Sequence, residues 1–582
     1  MLTTSSTTNK RPSPTPNPSF EGRKTKKPKT SQTTKTNEEE GVLPVKKAKN
    51  RPEVKQDKPY LRPLPPDLCL YNELKDALDK LGGEGEAGEG TRVWWIRNKD
   101  LRLHDNHALS LATRISKNGC SGGLIALYII SPSDYKAHDR SPRRIDFMLR
   151  NLSSLREDLH ALKVPLVVKT VEMREDVPTK VVEWCEQWTG TGLYGNIEHE
   201  VDELRRDIRV LKIAKKKLPN LQVKFVDDHC AIAPLTLLTK QGKPYTVYSP
   251  WYRSYISALD NDPSMLDPYP EPKENADNSL MPLDTGVPDS VDGWQLEKKE
   301  MEHFKALWPA GEEEAWRRLD NFVKEKVGGY EESRDRTDME AGSKLSTYIS
   351  SGVVSIRQCL KAAMKANGGK LPHGHGDGGA EKWFSELAWR DFYQHILAAY
   401  PRVSMGRAFQ EKYDHVIWED DEEADEGLRR WKEGKVGYPL VDAAMRMLAS
   451  EGWMHNRLRM NVAMFLSKDM MIDWREGEKW FMQNLIDGDL GSNNGGWQWS
   501  ASTGCDPQPY FRIFNPLLQS EKFDPEGNFI RRWIPELKNV KGKAIHDPFH
   551  RMDKDAFRKT GYAEPWVEHK VGRERALARF KE

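Results

Sequence analysis

RVWWIRNKDLRLHDNHALSLATRISKNGCSGGLIALYII, residues Arg92–Ile130, sets two short apolar runs on either side of a segment with helical spacing. RVWWI (92–96) and GLIALYII (123–130) lack the alternation of a strand with one wet face, so they read as strands buried on both faces. NHALSLATRI between them places apolar residues three and four apart, which predicts a helix. The pattern then repeats. PLVVKTV (165–171), GLYGNI (192–197) and VKFVDD (223–228) read as three more strands, separated by RRIDFMLRNLSSLREDLHAL, VPTKVVEWCEQW and DELRRDIRVLKIAKKK. Successive βα units predict a doubly wound parallel-sheet α/β domain over residues 89–235. No GxGxxG follows the first strand, so a nucleotide cofactor is expected elsewhere.

Outward from this domain the composition changes twice. Residues 236–315 include DNDPSMLDPYPEPKENADN, rich in Pro, Asp and Asn, and read as a connector over the surface. From 316 to 565 the β pattern gives way to helical segments, including EKWFSELAWRDFYQHILAAY and VDAAMRMLASEGWMHNRLRMNVAMFLSKDM. Eleven of the 19 tryptophans follow residue 380, so the all-α domain is where the chemistry is expected. A chain of 582 residues is too long for a single core, which agrees with this division.

Residues 1–88 are assigned to a disordered basic tail. The first 60 carry 14 Lys/Arg and 6 Asp/Glu, a net of +8, which leaves −6 for the rest of a chain whose total is +2. Few apolar residues there could offset the entropy of ordering. RKTKKPK (Arg23–Lys29) and KKAKNR (Lys46–Arg51) read as nuclear-import signals or nucleic-acid tethers, with a mitochondrial address as the second reading. The six cysteines show no CxxC spacing, which argues against a zinc site or a disulfide framework and for a reducing compartment. No apolar run approaches membrane-spanning length. No metal and no membrane partner are expected.

Three constellations suggest chemistry. Glu386, Trp389 and Arg390 fall at i, i+3 and i+4 on one helix face, with Trp383 one turn earlier. An acid, an aromatic platform and a guanidinium so placed could grip an unstacked base; spacing alone equally allows a core helix with a Glu–Arg pair at its rim. From Gly452 to Gly504, five tryptophans mix with Asn456, Arg457, Arg459, Asp487, Asp489, Asn493 and Asn494. Buried amides and charges need partners, so the mixture suggests a deep pocket for a large, flat, polar-edged ligand. Arg459 is a natural partner for Asp487 or Asp489, although the DGD turn alone would also allow acid/base carboxylates or metal ligands. AGSKLSTYISSG (Ala341–Gly352) opens a helix with hydroxyls and free N–H groups suited to phosphate, or with a simple N-cap by Ser343. HGHGDGG (His373–Gly379) reads as a surface loop rather than a metal site.

Taken together, WWIRNKDLRLHDNHAL, NIEHEVDELRRD, YSPWYRSY, SELAWRDFY, GYPLVDAAMR, GWMHNRLRM, DWREGEKWF and DGDLGSNNGGWQW closely resemble the photolyase/cryptochrome family over residues 90–560. Within it, HNRLRM and NNGGWQW resemble the class I cyclobutane pyrimidine dimer photolyases, in a fungal-like eukaryotic form. The resemblance implies a monomeric, light-dependent enzyme that repairs UV-damaged DNA, with FAD active as its anionic hydroquinone, FADH−. It implies FAD phosphates near Tyr330 and the segment Gly342, Ser343, Lys344, Leu345 and Ser346. Further FAD contacts are implied for Arg390, Gly488 and Asp489, with Arg459 paired to Asp487 beneath the flavin and Asn493 at flavin N5. Glu386, Trp389, Asn456 and Met460 would line the dimer pocket, and Arg334, Trp383, Arg457 and Gln519 would join them in contacting DNA. Trp497, Trp474 and Trp418 resemble an electron relay. Asp202 and Glu203 match antenna positions, which favours 5,10-methenyltetrahydrofolate over a deazaflavin. Three residues depart from the family pattern: Gly342 stands where threonine is usual, Lys344 where arginine is usual, and Met405 where a lysine would assist the antenna.

The alternatives within this resemblance are a (6-4) photolyase and a cryptochrome-type photoreceptor. The first carries a histidine pair where this chain has His455 followed by Asn456. The second tends to alter the pocket residues that this chain retains, or to add a long tail, whereas this chain ends soon after Trp566. Repair is the favoured reading.

Overall fold

The five apolar runs form five parallel strands: β1 (Thr91–Ile96), β2 (Leu124–Ile130), β3 (Leu166–Thr170), β4 (Gly190–Asn196) and β5 (Gln222–Val226). They lie in the order β3-β2-β1-β4-β5, with Trp94 opposite Ala126 on one side and Tyr194 on the other. The computed structural model describes residues 69–83, 90–114, 123–372, 378–506 and 511–581, all within one compact unit, Lys58–Glu582. The basic clusters of the first 60 residues and residues 373–377 of HGHGDGG lie outside the described residues.

Every residue of β1 is buried, and its twofold alternation sends side chains into two cores. Val93 and Trp95 pack with helices α1 (Leu70–Leu81), α4 (Val177–Gln187) and α5 (Val201–Lys217). Trp94 and Ile96 face the opposite way, among residues of α2 (His107–Ala112) and α3 (Pro142–Ala161). That second core runs on into the C-terminal half through Phe384, Leu387, Phe392 and Ile486. One face of the sheet is therefore the floor on which the helical half rests.

Three sequence expectations need correction. Helix α1 lies inside the stretch assigned to a disordered tail: it buries Leu70, Tyr71 and Leu74, and the Tyr71 hydroxyl donates to Asp227 at 2.8 Å. Apolar spacing returns at residue 70, and the charge statistics of the first 60 residues do not apply there. The stretch read as a surface connector contains α6 (Tyr248–Asn261), which buries Trp251, Tyr255 and Leu259. The segment read as one helix from Val441 to Met470 is two. Helix α8 (Pro439–Glu451) stops at Gly452, whose φ of 62° is left-handed, and α9 (Asn456–Met464) restarts where His455 Nδ1 accepts from the Arg457 N–H at 3.2 Å. The remaining helices used below are α7 (Gly379–Ala399), which precedes these two, then α10 (Trp474–Asn484), α11 (Leu490–Ala501), α12 (Pro516–Phe523) and α13 (His569–Arg579), the last lying beyond the expected boundary at 565.

Open α/β sheets usually bind nucleotides where the strand order reverses, here between β1 and β4. In this chain that crevice is filled by its own charges. Arg97 pairs with Asp207 at 3.2 Å, Arg102 pairs with Asp228, and Arg357 from the C-terminal half meets Asp105 at 3.0 Å and Asp228 at 2.6 Å. Gly352 lies so close that a Cβ would sit 1.7 Å from the Lys99 carbonyl oxygen, at a φ of +67°. The missing GxGxxG thus has a structural counterpart, an ion cluster that clamps the two halves together. Among the described residues no helix is long and apolar enough to cross a membrane.

Candidate functional site

Helix α7 carries the first constellation. Glu386, Trp389 and Arg390 are partly buried on one face, while Trp383 is 4% exposed and packs against Phe322 with ring centroids 4.8 Å apart. Trp383 is therefore a core residue, not the DNA contact that the resemblance implied, because a strand needs an accessible ring to touch. Trp389 stacks on Tyr248 at 3.7 Å and 10°, and the Tyr248 hydroxyl donates to the Ser385 carbonyl at 2.8 Å. The stack fixes the Trp389 plane, as a platform for a base requires.

Glu386 accepts from the Tyr330 hydroxyl at 2.6 Å and pairs with Arg334 at 2.5 Å. Burial raises its carboxyl pKa above the ordinary value, against the opposing pull of Arg334 and Tyr330. Arg334 also approaches Asp335 at 3.6 Å, and Asp335 holds Arg457 through two contacts of 2.8 Å. Tyr330, assigned to the phosphate end, thus has its hydroxyl committed to the acidic face. Asn456 is exposed at the start of α9, and Met460 Sδ lies 3.8 Å from Arg457 Nη1. Gln519 on α12 has a buried side-chain oxygen without a hydrogen-bond partner among the described residues.

The expected Arg459–Asp487 pair is present, with Arg459 Nη2 2.7 Å from Asp487 Oδ2 and Arg459 Nε donating to the Met454 carbonyl at 2.8 Å. Asp487 Oδ1 is buried with no partner among the described residues. An unsatisfied buried carboxylate oxygen costs stability unless a ligand supplies a donor. It is therefore an acceptor suited to the polar edge of a flat cofactor. Asp489 caps α11 through the Ser492 N–H at 2.9 Å and accepts from Gln394 Nε2 at 3.1 Å. It also pairs at 3.0 Å with Lys99, which reaches it from the loop after β1 and pairs with Glu200 as well. Burial alone would raise the Asp489 pKa, but Lys99 and Arg390 hold it well below the usual carboxylate range. Arg390 donates to the His229 carbonyl and to Asp391.

In the phosphate-loop candidate, the Ser343 hydroxyl accepts from the Leu345 N–H at 3.3 Å, and Lys344 has a left-handed φ of 52°. Ser346 accepts from Trp453 Nε1 at 3.0 Å, and the Lys344 ammonium lies 5.7 Å from the Trp453 ring. Gly342 has open space where a Cβ would stand. Ser343 therefore orders a turn rather than capping the helix, and Leu345 takes the N-cap position.

Glycines let α11 lie close to its neighbours: a Cβ on Gly495 would meet the Tyr393 ring at 2.2 Å. A Cβ on Gly488 in the DGD turn would make only ordinary contact, 3.4 Å from Met482 Sδ. The Asn493 amide N–H donates to the Glu478 carbonyl at 3.0 Å, and Asn494 donates to the Glu478 carboxylate at 2.9 Å, whose pKa burial pushes up to about 7. Among the described residues the Asn493 side-chain oxygen has no hydrogen-bond donor, which leaves it able to accept from a ligand. Trp497 is 2% exposed, edge-on to Phe481 at 5.0 Å, and lies over Gly477 of α10, the helix that Trp474 begins. Trp474 is fully buried, whereas Trp418 is partly exposed beside Phe580 at 5.9 Å. Trp497 and Trp474 are thus interior rings, and Trp418 is the one of the three that reaches the surface.

Asp202 and Glu203 open α5 in the α/β half. Asp202 pairs with Arg174 at 2.8 Å, and both acids flank His138, at 3.5 and 3.9 Å. Burial would lower the His138 pKa, but Glu203, Asp134 and Asp202 push it up to about 10. His138 is a cation at neutral pH, so it neutralises the cluster that a metal ion would otherwise have to balance.

Sequence reasoning missed Lys99, Tyr248, Asp335, Gln394 and Glu478. Only Gln394 left a usable signal, since it follows Arg390 by four residues on the same face of α7.

Two family signatures match the chain: one described as DNA photolyase over residues 92–273, the other as the FAD binding domain of DNA photolyase over residues 383–582. A Neurospora crassa protein named deoxyribodipyrimidine photo-lyase is 44% identical over 504 residues, covering 84% of this chain and 81% of that one. A Saccharomyces cerevisiae protein named deoxyribodipyrimidine photo-lyase, mitochondrial, is 33% identical and covers 88% and 90%. Among solved structures, a bacterial class III photolyase from Agrobacterium tumefaciens aligns with a TM-score of 0.73 at 32% identity, covering 85% of this chain and 98% of that one.

Proposed function

The chain belongs to the DNA photolyase family, and from that premise we propose that it is a deoxyribodipyrimidine photo-lyase, which splits cyclobutane pyrimidine dimers in DNA under light. The observation that carries this reading is the single face of α7. Glu386 and Trp389 stand at its open end, while Arg390 and Gln394 meet the His229 carbonyl and Asp489 one turn on. One rigid helix couples a base-gripping end to a cofactor-holding end. The direct test is blue-light illumination of the purified protein with an oligonucleotide carrying one thymine dimer; failure to restore the separate thymines would overturn the reading.

FAD is the cofactor, and bound here it supplies the light-absorbing redox centre. The residues present fit it. Asp487 Oδ1 and the Asn493 side-chain oxygen offer acceptors, Arg459 keeps a spare donor, and residues 342–346 expose hydroxyls and backbone around Lys344. A dimer stacked in a duplex cannot reach such a site and must be extruded, at a cost of a few kcal/mol that is smaller for a poorly stacked lesion. Trp389 then offers the stacking face, and Glu386 hydrogen bonds to the pyrimidine edge. Asn456 and Met460 line the same mouth from α9. We propose Trp497, Trp474 and Trp418 as the route along which charge is resupplied from the surface.

Glu386→Ala is expected to retain flavin but to lower dimer-splitting yield by about tenfold, the rate equivalent of ~1.4 kcal/mol and the low end of a hydrogen bond to a charged group. Quantum yield on dimer-containing DNA measures it, and an unchanged yield would remove Glu386 from the pocket. Arg457→Ala should weaken DNA binding and reduce the slope of log affinity against log salt by about one. A salt titration of binding decides this, with an unaltered slope counting against a phosphate contact.

A folate antenna at Asp202 and Glu203 is proposed from the resemblance, and an absorption spectrum of the purified protein tests it. A nuclear address rests on the two basic clusters alone; imaging of the full chain with each cluster neutralised would show whether import depends on them. The yeast relative's name keeps a mitochondrial share in that experiment.

A further inference from the structure

Arg334 and Arg457, the two cations placed at the DNA face, are both already occupied by protein carboxylates. Arg457 is held by both oxygens of Asp335 at 2.8 Å, and Arg334 lies 2.5 Å from Glu386 and 3.6 Å from Asp335. Asp335 is about a third exposed, its side chain at 35%, so a phosphate can reach the cluster from solvent. The ring of Phe523 backs Arg457 at 4.7 Å, which keeps the guanidinium in place while its partner is exchanged.

We propose that Asp335 is a specificity-determining residue that restrains Arg457 and, through Arg334, the Glu386 carboxylate, so that the cluster opens fully only for DNA that inserts a lesion. The inference rests on the reading of Arg334, Arg457 and Glu386 given above. A phosphate that takes either arginine leaves a carboxylate without its cation. Undamaged DNA offers that carboxylate nothing in return, and binds with the cluster largely closed. A flipped dimer presents pyrimidine carbonyl and N–H groups to Glu386 once Arg334 has moved to the strand. With Arg334 gone, Glu386 keeps only the Tyr330 hydroxyl among its hydrogen-bond and ion-pair partners and is open to a pyrimidine N–H. No covalent bond is made or broken in this exchange; only ion pairs and hydrogen bonds change partners.

The test uses the full-length protein and two duplexes of one sequence, undamaged and with a single thymine dimer, with affinity measured across a salt series. Asp335→Asn should tighten binding to undamaged duplex about tenfold and steepen its salt slope by about one, because one more arginine is free to release counterions. Affinity for the damaged duplex should change less, so discrimination falls about tenfold. Asp335→Glu should restore most of the wild-type ratio, which a merely structural defect would not predict. Unchanged slope and ratio in Asp335→Asn, while Arg457→Ala still weakens binding, would overturn the gate alone. If Arg457→Ala also leaves the slope unchanged, the gate falls together with the assignment of Arg457 to DNA. Equal weakening on both duplexes in Asp335→Asn would likewise overturn the gate.

Discussion

Trp497→Phe is expected to abolish light-driven reduction of bound oxidised FAD while leaving dimer splitting intact in protein whose flavin has been reduced chemically. Trp497 is an interior ring: it is 2% exposed and stands edge-on to Phe481 at 5.0 Å and to Trp431 at 6.0 Å. Phenylalanine keeps an aromatic ring there but is far harder to oxidise than indole, so charge cannot pause at that position. The lost volume leaves a cavity over Gly477, at about 1–3 kcal/mol, a cost the fold can absorb without losing its cofactor. Trp480→Phe is the matched control, because Trp480 lies on α10, the helix whose Gly477 packs against Trp497, but is half-buried under Lys432 at 5.0 Å. Absorbance under continuous illumination with a reductant reads the outcome. Loss of repair along with photoreduction would show that Trp497 does more than relay charge.

Lys99→Met is expected to destabilise the protein by about 3–5 kcal/mol, the usual consequence of stranding buried carboxylates. Lys99 is buried, and its ammonium is the common partner of Glu200 and Asp489. Burial alone would lower its pKa, but those two carboxylates raise it above the ordinary lysine value. The loss should depend on pH. In the wild type, Asp489 titrates below its unfolded value of about 3.9, so its contribution is complete above that value and declines only as the pH falls further. Without Lys99, burial is left unopposed by its largest partner, and both carboxyls titrate above their unfolded values. The variant then gains stability relative to the wild type as the pH drops from 7 towards 5, because in the wild type Asp489 and Glu200 are both held below their ordinary values and contribute no change there. Denaturant melts at the two pH values should show the gap narrowing; a constant gap would mean that Lys99 acts through packing. Because Lys99 ties the loop after β1 to the cap of α11, flavin retention should fall in parallel.

The strands were legible because a parallel sheet covered on both faces must be built from uninterrupted apolar runs. Each of the five was placed within about two residues by that pattern alone. The face of α7 was legible because i, i+3 and i+4 neighbours share a side of any helix. The same rule erred at Val441–Met470, where spacing continued through Gly452 although the chain turned there, and at Trp383, whose position on the helix could not tell surface from core. Composition misplaced α1 and α6, since averages taken over 60 or 80 residues conceal one amphipathic helix of 12 or 14 residues.

The order of elements, the family motifs and the identity of the aromatic and acidic side chains were determined by the sequence alone, because each depends on neighbours a few residues apart. Tertiary structure alone decided which charges meet. Lys99 and Asp489 are 390 residues apart, and Asp335 and Arg457 are 122 apart. No local rule pairs them, since a buried charge accepts whichever partner the fold delivers within reach. Those two long-range pairs hold the cap of α11 and restrain an arginine at the lesion pocket, as Arg357 with Asp105 and Asp228 fills the crevice of the sheet.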